Sequence, residues 1–483
     1  MLFSSPVFLF LFLPLVLLGY YLIRTAYRNY FLLLASMIFF AWGGVSYSLL
    51  LVASIVFNYF TGLGIGKSQS HRWRKIFLAT GVALNLLFLG TFKYANFFIE
   101  NLNQLLGNFG GHGFENSPIL LPIGISFYTF QAMSYLVDVY RRQVPYQRSI
   151  WNLGLFISLF PQLIAGPIVR YHEIERQITL RHSTIERFAG GIRRFVIGLG
   201  KKVLIANSMG FVADQCFDLG AGELSTPLAW IGIVSYSLQI YFDFSGYSDM
   251  AIGLGKMFGF ELPENFNFPY VARSIKEFWR RWHISLSSWF KDYLYIPLGG
   301  NRLGRHRTYV NLFIVFFVTG LWHGASWTFV VWGLVHGLFL VIEKLTNQRF
   351  PDRLPVFLQH IYTLFVVMMA WVLFRADTFG YAADYYKTLF GFTEVATDPL
   401  ILHTLISNQY LLFLGVGVLA SVNVFKNATR LTMRWPAFAK YYNRPWVYSA
   451  LQLADSLYLL ILFSVCTMYL LANTYNPFIY YRF

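Results

Sequence analysis

Charge is scarce in this chain. Only 12% of its 483 residues are Asp, Glu, Lys or Arg, about half the share a soluble domain carries. That excludes an ordinary water-facing surface over most of the molecule. Acids are scarcer still, 22 against 38 Lys and Arg. A basic balance can imply nucleic acid, but here the basic residues sit in short loops between apolar runs, where the positive-inside rule puts them, so no nucleic-acid partner is expected. Cysteine is nearly missing. Cys216 and Cys466 fall in or near apolar segments and read as small buried hydrophobes, not as a disulfide framework. No Cys-x-x-Cys occurs, and His172-Glu173-Ile174-Glu175-Arg176 lacks the second histidine of a zinc helix, so no metal and no bound cofactor are expected. No Gly-x-Ser-x-Gly supports a hydrolase elbow. The run Gly62 to Ser68 resembles a phosphate-binding loop, but Thr61 stands where its first glycine belongs and no strand precedes it. No repeat of fixed period stands out, so residues 1–483 read as a single domain.

Apolar residues are abundant. They make up 56% of the chain, with a mean hydropathy of +0.50. Only helices or closed barrels satisfy the backbone in lipid, and the short alternating strands of a barrel are missing. The expected fold is therefore an all-α, multi-pass membrane protein in the lipid bilayer. Long apolar runs give 11 or 12 transmembrane helices, with one or two re-entrant or interfacial segments. Leu2–Ile23 has no basic start and no small-residue cleavage site, so it reads as a retained anchor. The loops at 24–28, 67–75, 141–149, 170–202, 256–308, 344–353 and 426–444 are basic and are assigned to the cytoplasm, which puts the N-terminus outside. Residues 150–169 are apolar, hold Pro161, Gly166 and Pro167, and lie between two basic loops. They read as a segment that enters and leaves on one face.

Two histidines draw notice. His323 lies in Leu321-Trp322-His323-Gly324-Ala325-Ser326-Trp327, within a run from Tyr309 to Ile342 that holds no Asp, Glu, Lys or Arg. An ionisable group at that depth is costly and usually faces a cavity or a partner. It reads either as a base lining a tunnel or as a neutral imidazole tying helices together. His283 lies 40 residues upstream, in Lys276 to Tyr293. There Phe278, Trp282, Leu286, Trp289 and Tyr293 recur at helical spacing, which predicts one amphipathic helix with Arg280, Arg281 and Lys291 on its other faces. Such a helix lies at the interface or dips in and returns.

The blocks Phe278-Trp279-Arg280-Arg281-Trp282-His283-Ile284-Ser285-Leu286 and Thr319-Gly320-Leu321-Trp322-His323-Gly324 resemble the membrane-bound O-acyltransferase family. Phe160-Pro161-Gln162-Leu163-Ile164-Ala165-Gly166-Pro167 and Asp243-Phe244-Ser245-Gly246-Tyr247-Ser248-Asp249 support this. The resemblance covers most of the chain and is nearest to the bacterial branch of polysaccharide O-acetylases, with D-alanyl transfer to teichoic acid more distant. It implies helices around a central tunnel and acyl transfer from a thioester to a hydroxyl. It implies His323 as general base and His283 as a group that orients the donor or stabilises the oxyanion. Trp322 and Trp327 would wall the tunnel, and Arg280, Arg281 and Lys291 would hold the phosphates of the donor, acetyl-CoA. In the alginate-type systems the acetyl group passes across the inner membrane of a bacterium to an extracytoplasmic, esterase-like acetyltransferase.

Other residues are open to two readings. Asp243 and Asp249 lie in an apolar segment as substrate or proton contacts, or as structural hydrogen-bond partners. His336 follows His323 by 13 residues, which on one helix turns it to nearly the opposite side, so it reads as a core histidine. The tail carries Phe478, Tyr480, Tyr481 and Phe483, a membrane-surface anchor or a docking element for the partner protein. Two rivals from other classes remain at this stage: a transporter of lipid or sugar, and a non-enzymatic scaffold of a polysaccharide synthase. Peptidoglycan or cellulose acetylation is the nearer alternative.

Overall fold

The structure, a computed structural model, describes residues 1–114, 118–220, 222–346, 349–422, 424, 444–472 and 475–479. All regular structure among these residues is helical. In chain order the helices that matter are α1 (Phe8–Leu22), α2 (Arg28–Ala41), α3 (Val45–Lys67), α4 (His71–Asn108), α5 (Ile125–Tyr140), α6 (Ile150–Ser158), α7 (Phe160–Leu163) and α8 (Tyr171–Thr179). Then come α9 (Ile185–Phe217), α10 (Thr226–Met257), α11 (Ile275–Arg281), α12 (Ile284–Phe290), α13 (Gly304–His323), α14 (Trp327–Leu345) and α15 (Val356–Arg375). The set closes with α16 (Phe379–Leu389), α17 (Pro399–Leu405), α18 (Asn408–Ser421) and α19 (Pro445–Ala472).

Six of these, α3, α4, α9, α14, α15 and α19, are long and apolar enough to cross a membrane, and the bent pair α17–α18 makes a seventh if it counts as one span. The other apolar runs behind the expectation of 11 or 12 spans form shorter or more polar helices, such as α2, α5 and α10, which pack among the long ones. Lipid tails are as apolar as leucine, so helices associate in a membrane through close packing. The α9–α10 contact shows how. Gly191 faces Gly253 and Gly198 faces Gly246, and a Cβ on any of the four would sit 2.7–2.8 Å from the opposite carbonyl oxygen. The α13–α14 hairpin uses Gly320 and Gly333 in the same way.

The segment at 150–169 is broken and contains no helix long enough to span. Helix α6 has 9 residues, about half of what a span needs. Its far end breaks at Leu159–Phe160, and the chain comes back at Tyr171, whose hydroxyl lies 3.2 Å from Gln147 just before α6 begins. The two ends of the segment therefore come within side-chain contact of each other. The amphipathic helix predicted over 276–293 is not continuous. It breaks at His283, which has φ +44°, between α11 and α12. Asn265 and Asn267 pair with the freed backbone there: Ile284 N–H donates to Asn265 O at 2.9 Å, and Asn267 N–H to Arg281 O at 3.0 Å. The apolar stripe is real, since Phe278, Trp282, Leu286 and Trp289 are all buried, but it covers two helices joined at an elbow.

Candidate active site

His323 is the last residue of α13, and the turn Gly324–Ser326 leads into α14. The local sequence explains the turn. A Cβ at Gly324 would lie 2.3 Å from the Phe329 ring, and Ser326 caps α14 by accepting from Thr328 N–H at 3.3 Å. A helix end leaves its last carbonyls without helical partners. Here α4 supplies the partners. Tyr94 OH donates to Leu321 O at 2.8 Å, and the Lys93 ammonium donates to Trp322 O, to His323 O at 3.3 Å, and to Ser126 Oγ at 3.3 Å. Lys93 thus brings a buried amine donor to the carbonyls of a helix C-terminus. Sequence reasoning passed over Lys93. Its signal was visible: a lone lysine inside the apolar run 76–99.

The elbow brings His283 to this helix end. The His283 and His323 ring centres are 6.4 Å apart, and both rings are buried. Trp322 lies against both, at 6.0 Å from His283 and 5.0 Å from His323. Around them stand Phe244, 4.6 Å from His283, with Trp332 and Phe374 at 5.0 and 5.3 Å from His323. His336 also packs on Trp332, at 5.1 Å, and between Phe278 and Trp279. It is a core histidine, but the angular argument does not apply, because the turn at Gly324–Ser326 puts the two histidines on different helices.

Cavities open on both sides of the histidine pair. One, of about 430 Å³, is lined by Lys276, Arg280, Lys291 and Lys344 at its mouth and by Trp279, Leu286, Phe316 and Thr319 inside. Thr319 is one helical turn before His323. This cavity lies at the ends of α13 and α14 that carry the basic loops. On the other side, a small cavity of about 90 Å³ is lined by Lys93, Ser126, Trp322, His323 and Phe478. A larger one of about 400 Å³ is lined by Lys93, Tyr236, Ser326, Thr328, Arg375 and Asp377. Lys93 borders both.

The structure separates the expected site residues. His323, His283 and Trp322 come together. Arg280 and Lys291 line the basic cavity, but Arg281 turns aside to pair with Glu277 at 2.8 Å and to donate to Asn267 O. Trp327 does not wall the chamber. It is 51% exposed and donates to Asn101 Oδ1 at 2.7 Å, because it begins α14 on the far side of the turn. Asp243 lines none of these three cavities. It pairs with Lys202 at 2.7 Å, both being buried, and Asp243 Oδ2 accepts from Ile479 N–H at 3.0 Å while Lys202 donates to Pro477 O. Asp249 is held by Lys201 and Arg194 at 2.6 and 2.7 Å. Both acids are structural clamps. Phe478 is buried, 4.9 Å from the Tyr247 ring, so it is not available as an exposed docking ring. Its burial follows from the clamp, which draws residues 477–479 into the bundle. Tyr480, Tyr481 and Phe483 lie outside the described residues.

An all-helical membrane protein with two histidines buried between a basic cavity and an opposed polar one has the layout for intramembrane group transfer. The chain belongs to the membrane-bound O-acyltransferase family, whose model matches residues 36–379. It is 41% identical to the probable alginate O-acetylase AlgI of Pseudomonas aeruginosa and 42% identical to that of Azotobacter vinelandii, in each case over the whole of both chains. It is 40% identical to the peptidoglycan O-acetyltransferase of Helicobacter pylori, over 84% of this chain and 85% of that protein. The protein is therefore a multi-pass membrane acyltransferase, as the sequence blocks implied.

Proposed function

We propose that this protein takes an acetyl group from acetyl-CoA on the cytoplasmic side of a bacterial inner membrane and delivers it for O-acetylation of an exported polysaccharide of the alginate type. One observation carries the mechanism: the two buried histidines pack together, His323 lines a cavity with Lys93 and Trp322, and a separate basic cavity reaches Thr319, one helical turn before His323. The names of the full-length relatives support acetyl as the group and alginate as the polymer.

Arg280, Lys291, Lys276 and Lys344 hold the phosphates of the donor, leaving the thioester to reach the aromatic interior. The acceptor hydroxyl comes from the other side. His323 takes its proton as the oxygen attacks the thioester carbonyl. The new C–O bond forms, the C–S bond breaks, and the proton ends on the departing thiolate. Imidazole suits this step because its ordinary pKa of about 6.5 lets it accept and return a proton near neutrality. Trp322 has a buried indole N–H with no hydrogen-bond partner among the described residues. It donates to the carbonyl oxygen as charge builds there. An extracytoplasmic, esterase-like partner then carries the acetyl group to the polymer.

Radiolabelled acetyl-CoA supplied to the outside of inverted membrane vesicles tests this reading. Label should appear on acceptor material in the vesicle lumen and vanish in His323→Ala. Transport of intact acetyl-CoA or sugar without ester formation would replace the enzyme with a transporter. The Helicobacter pylori relative favours a second reading, in which the acceptor is peptidoglycan. Identifying the labelled polymer separates the two.

A further inference from the structure

Asn265 is a buried polar residue at the elbow that the acyl-transfer chemistry leaves unused. It lies in Pro263-Glu264-Asn265-Phe266-Asn267-Phe268-Pro269, a stretch where amides alternate with aromatics between two prolines. Its side chain is buried at 1% exposure, so bulk water does not compete for its hydrogen bonds. Three groups surround its Oδ1: Ser285 N–H at 3.3 Å, Ser285 Oγ at 2.9 Å and His283 Nδ1 at 3.1 Å. At the other end of the amide, Nδ2 donates to Ser248 Oγ at 3.0 Å.

The orientation of the amide follows from these contacts. A backbone N–H can only donate, so the atom facing Ser285 N–H is the amide oxygen. An amide oxygen can only accept, so His283 Nδ1 carries a hydrogen. A neutral imidazole has one N–H and one lone pair. The lone pair is therefore on Nε2. That nitrogen is buried and has no hydrogen-bond partner among the described residues. The ring around it packs against Phe244, Trp322 and His323.

We propose that Asn265 is a positioning residue that locks His283 in the Nδ1–H tautomer, making Nε2 a proton acceptor inside the chamber. The proposal rests on the acyl-transfer reading and changes one role within it. His283 in its resting form has no N–H free to donate to an oxyanion. It accepts a hydrogen bond or proton from a substrate group, and Trp322 is left as the donor. The left-handed backbone at His283 and the pairing of Ile284 N–H with Asn265 O hold the imidazole and the amide in one register.

The direct test is nitrogen-15 NMR of histidine-labelled, detergent-solubilised full-length protein, with His283→Ala used to assign the signals. The signals lost in His283→Ala should be one protonated Nδ1 and one unprotonated Nε2. A protonated Nε2 in the neutral ring would overturn the proposal. Kinetics add a second reading. Asn265→Ala should lower kcat on the order of 10²-fold, the range for an outer group that orients a reacting imidazole. It should cost nothing further in a His283→Ala background. Asn265→Asp keeps an acceptor for both His283 and Ser285 and should recover most of the lost rate. Equal losses in the Ala and Asp variants, with the wild-type tautomer pattern kept in both, would make Asn265 a packing residue only. The NMR outcome does not depend on acyl transfer. If acetyl-CoA is transported without ester formation, the proposed function fails while the tautomer result still stands.

Discussion

The Lys93 ammonium, buried in α4, donates to the carbonyl oxygens of both Trp322 and His323. One side chain thus closes the helix end that carries the proposed base. Replacing it with methionine leaves two buried carbonyls without that donor, at about 1–3 kcal/mol each. Lys93→Met should melt at lower temperature in detergent and lose roughly tenfold or more in kcat, since a small misplacement of a reacting group is costly. A kcat loss with an unchanged melting temperature would instead point to a direct electrostatic part in the chemistry.

The three buried histidines should separate. His323→Ala should cut acetyl transfer about 10²–10⁴-fold, the usual share of general base help, while the protein still accumulates. His283→Ala should lose most activity. His336→Phe should keep its rate, because His336 sits among Phe278, Trp279 and Trp332 and borders none of the three cavities. Activity assays on equal amounts of purified protein check all three. A fully active His323→Ala would end the assignment of the base.

Two neighbouring arginines should also differ. Arg280 and Lys291 line the basic cavity, whereas Arg281 is paired with Glu277. Arg280→Ala and Lys291→Ala should raise KM for acetyl-CoA with little change in kcat, each by about 10- to 150-fold if a charge-assisted contact of about 1.5–3 kcal/mol is lost. Arg281→Ala should leave KM near the wild-type value. The three KM values, measured at low and high salt, decide whether this cavity holds the phosphates.

Asp243 and Lys202 form a buried ion pair that also grips Ile479 and Pro477. Asp243→Leu strands the lysine and should destabilise by about 3–5 kcal/mol. Adding Lys202→Met removes the stranded charge and should restore most of the stability. The double variant still lacks the grip on the tail. Limited proteolysis should therefore remove its last residues faster than in the wild type, even with the melting temperature recovered. Equal resistance would show that other contacts hold the tail.

His172, at the start of α8, lies 3.0 Å from the buried Asp138 carboxylate. That hydrogen bond raises the His172 pKa from its ordinary value, against a smaller effect of burial. The folded form then binds the proton more tightly than the unfolded chain does. The stabilisation is complete below about pH 6.5 and is lost as pH climbs through the raised value. Thermal stability should fall over that window in the wild type and fall less in His172→Gln. A His172→Gln curve that tracks the wild type would assign the fall to other groups.

Much of this molecule is written along the chain. Scarce charge, long apolar runs and basic loops determine a helical membrane protein, because lipid admits few other ways to satisfy a backbone. The Trp322-His323-Gly324 and Trp282-His283-Ile284 blocks mark the two histidines, since polar residues persist in apolar context only where something requires them. What needed the tertiary structure is everything set by contacts between distant segments. The predicted helix over 276–293 breaks because Asn265 and Asn267 offer its backbone other partners. Trp327 and Asp243 look like site residues in one dimension, but one faces outward past a turn and the other meets Lys202, 41 residues away. Lys93 and Asn265 reach the site from 229 and 18 residues away, respectively, to hold Trp322 and His283. No periodicity or local motif can announce such partners, because hydrogen bonding to a histidine or to a helix end is decided by proximity in space.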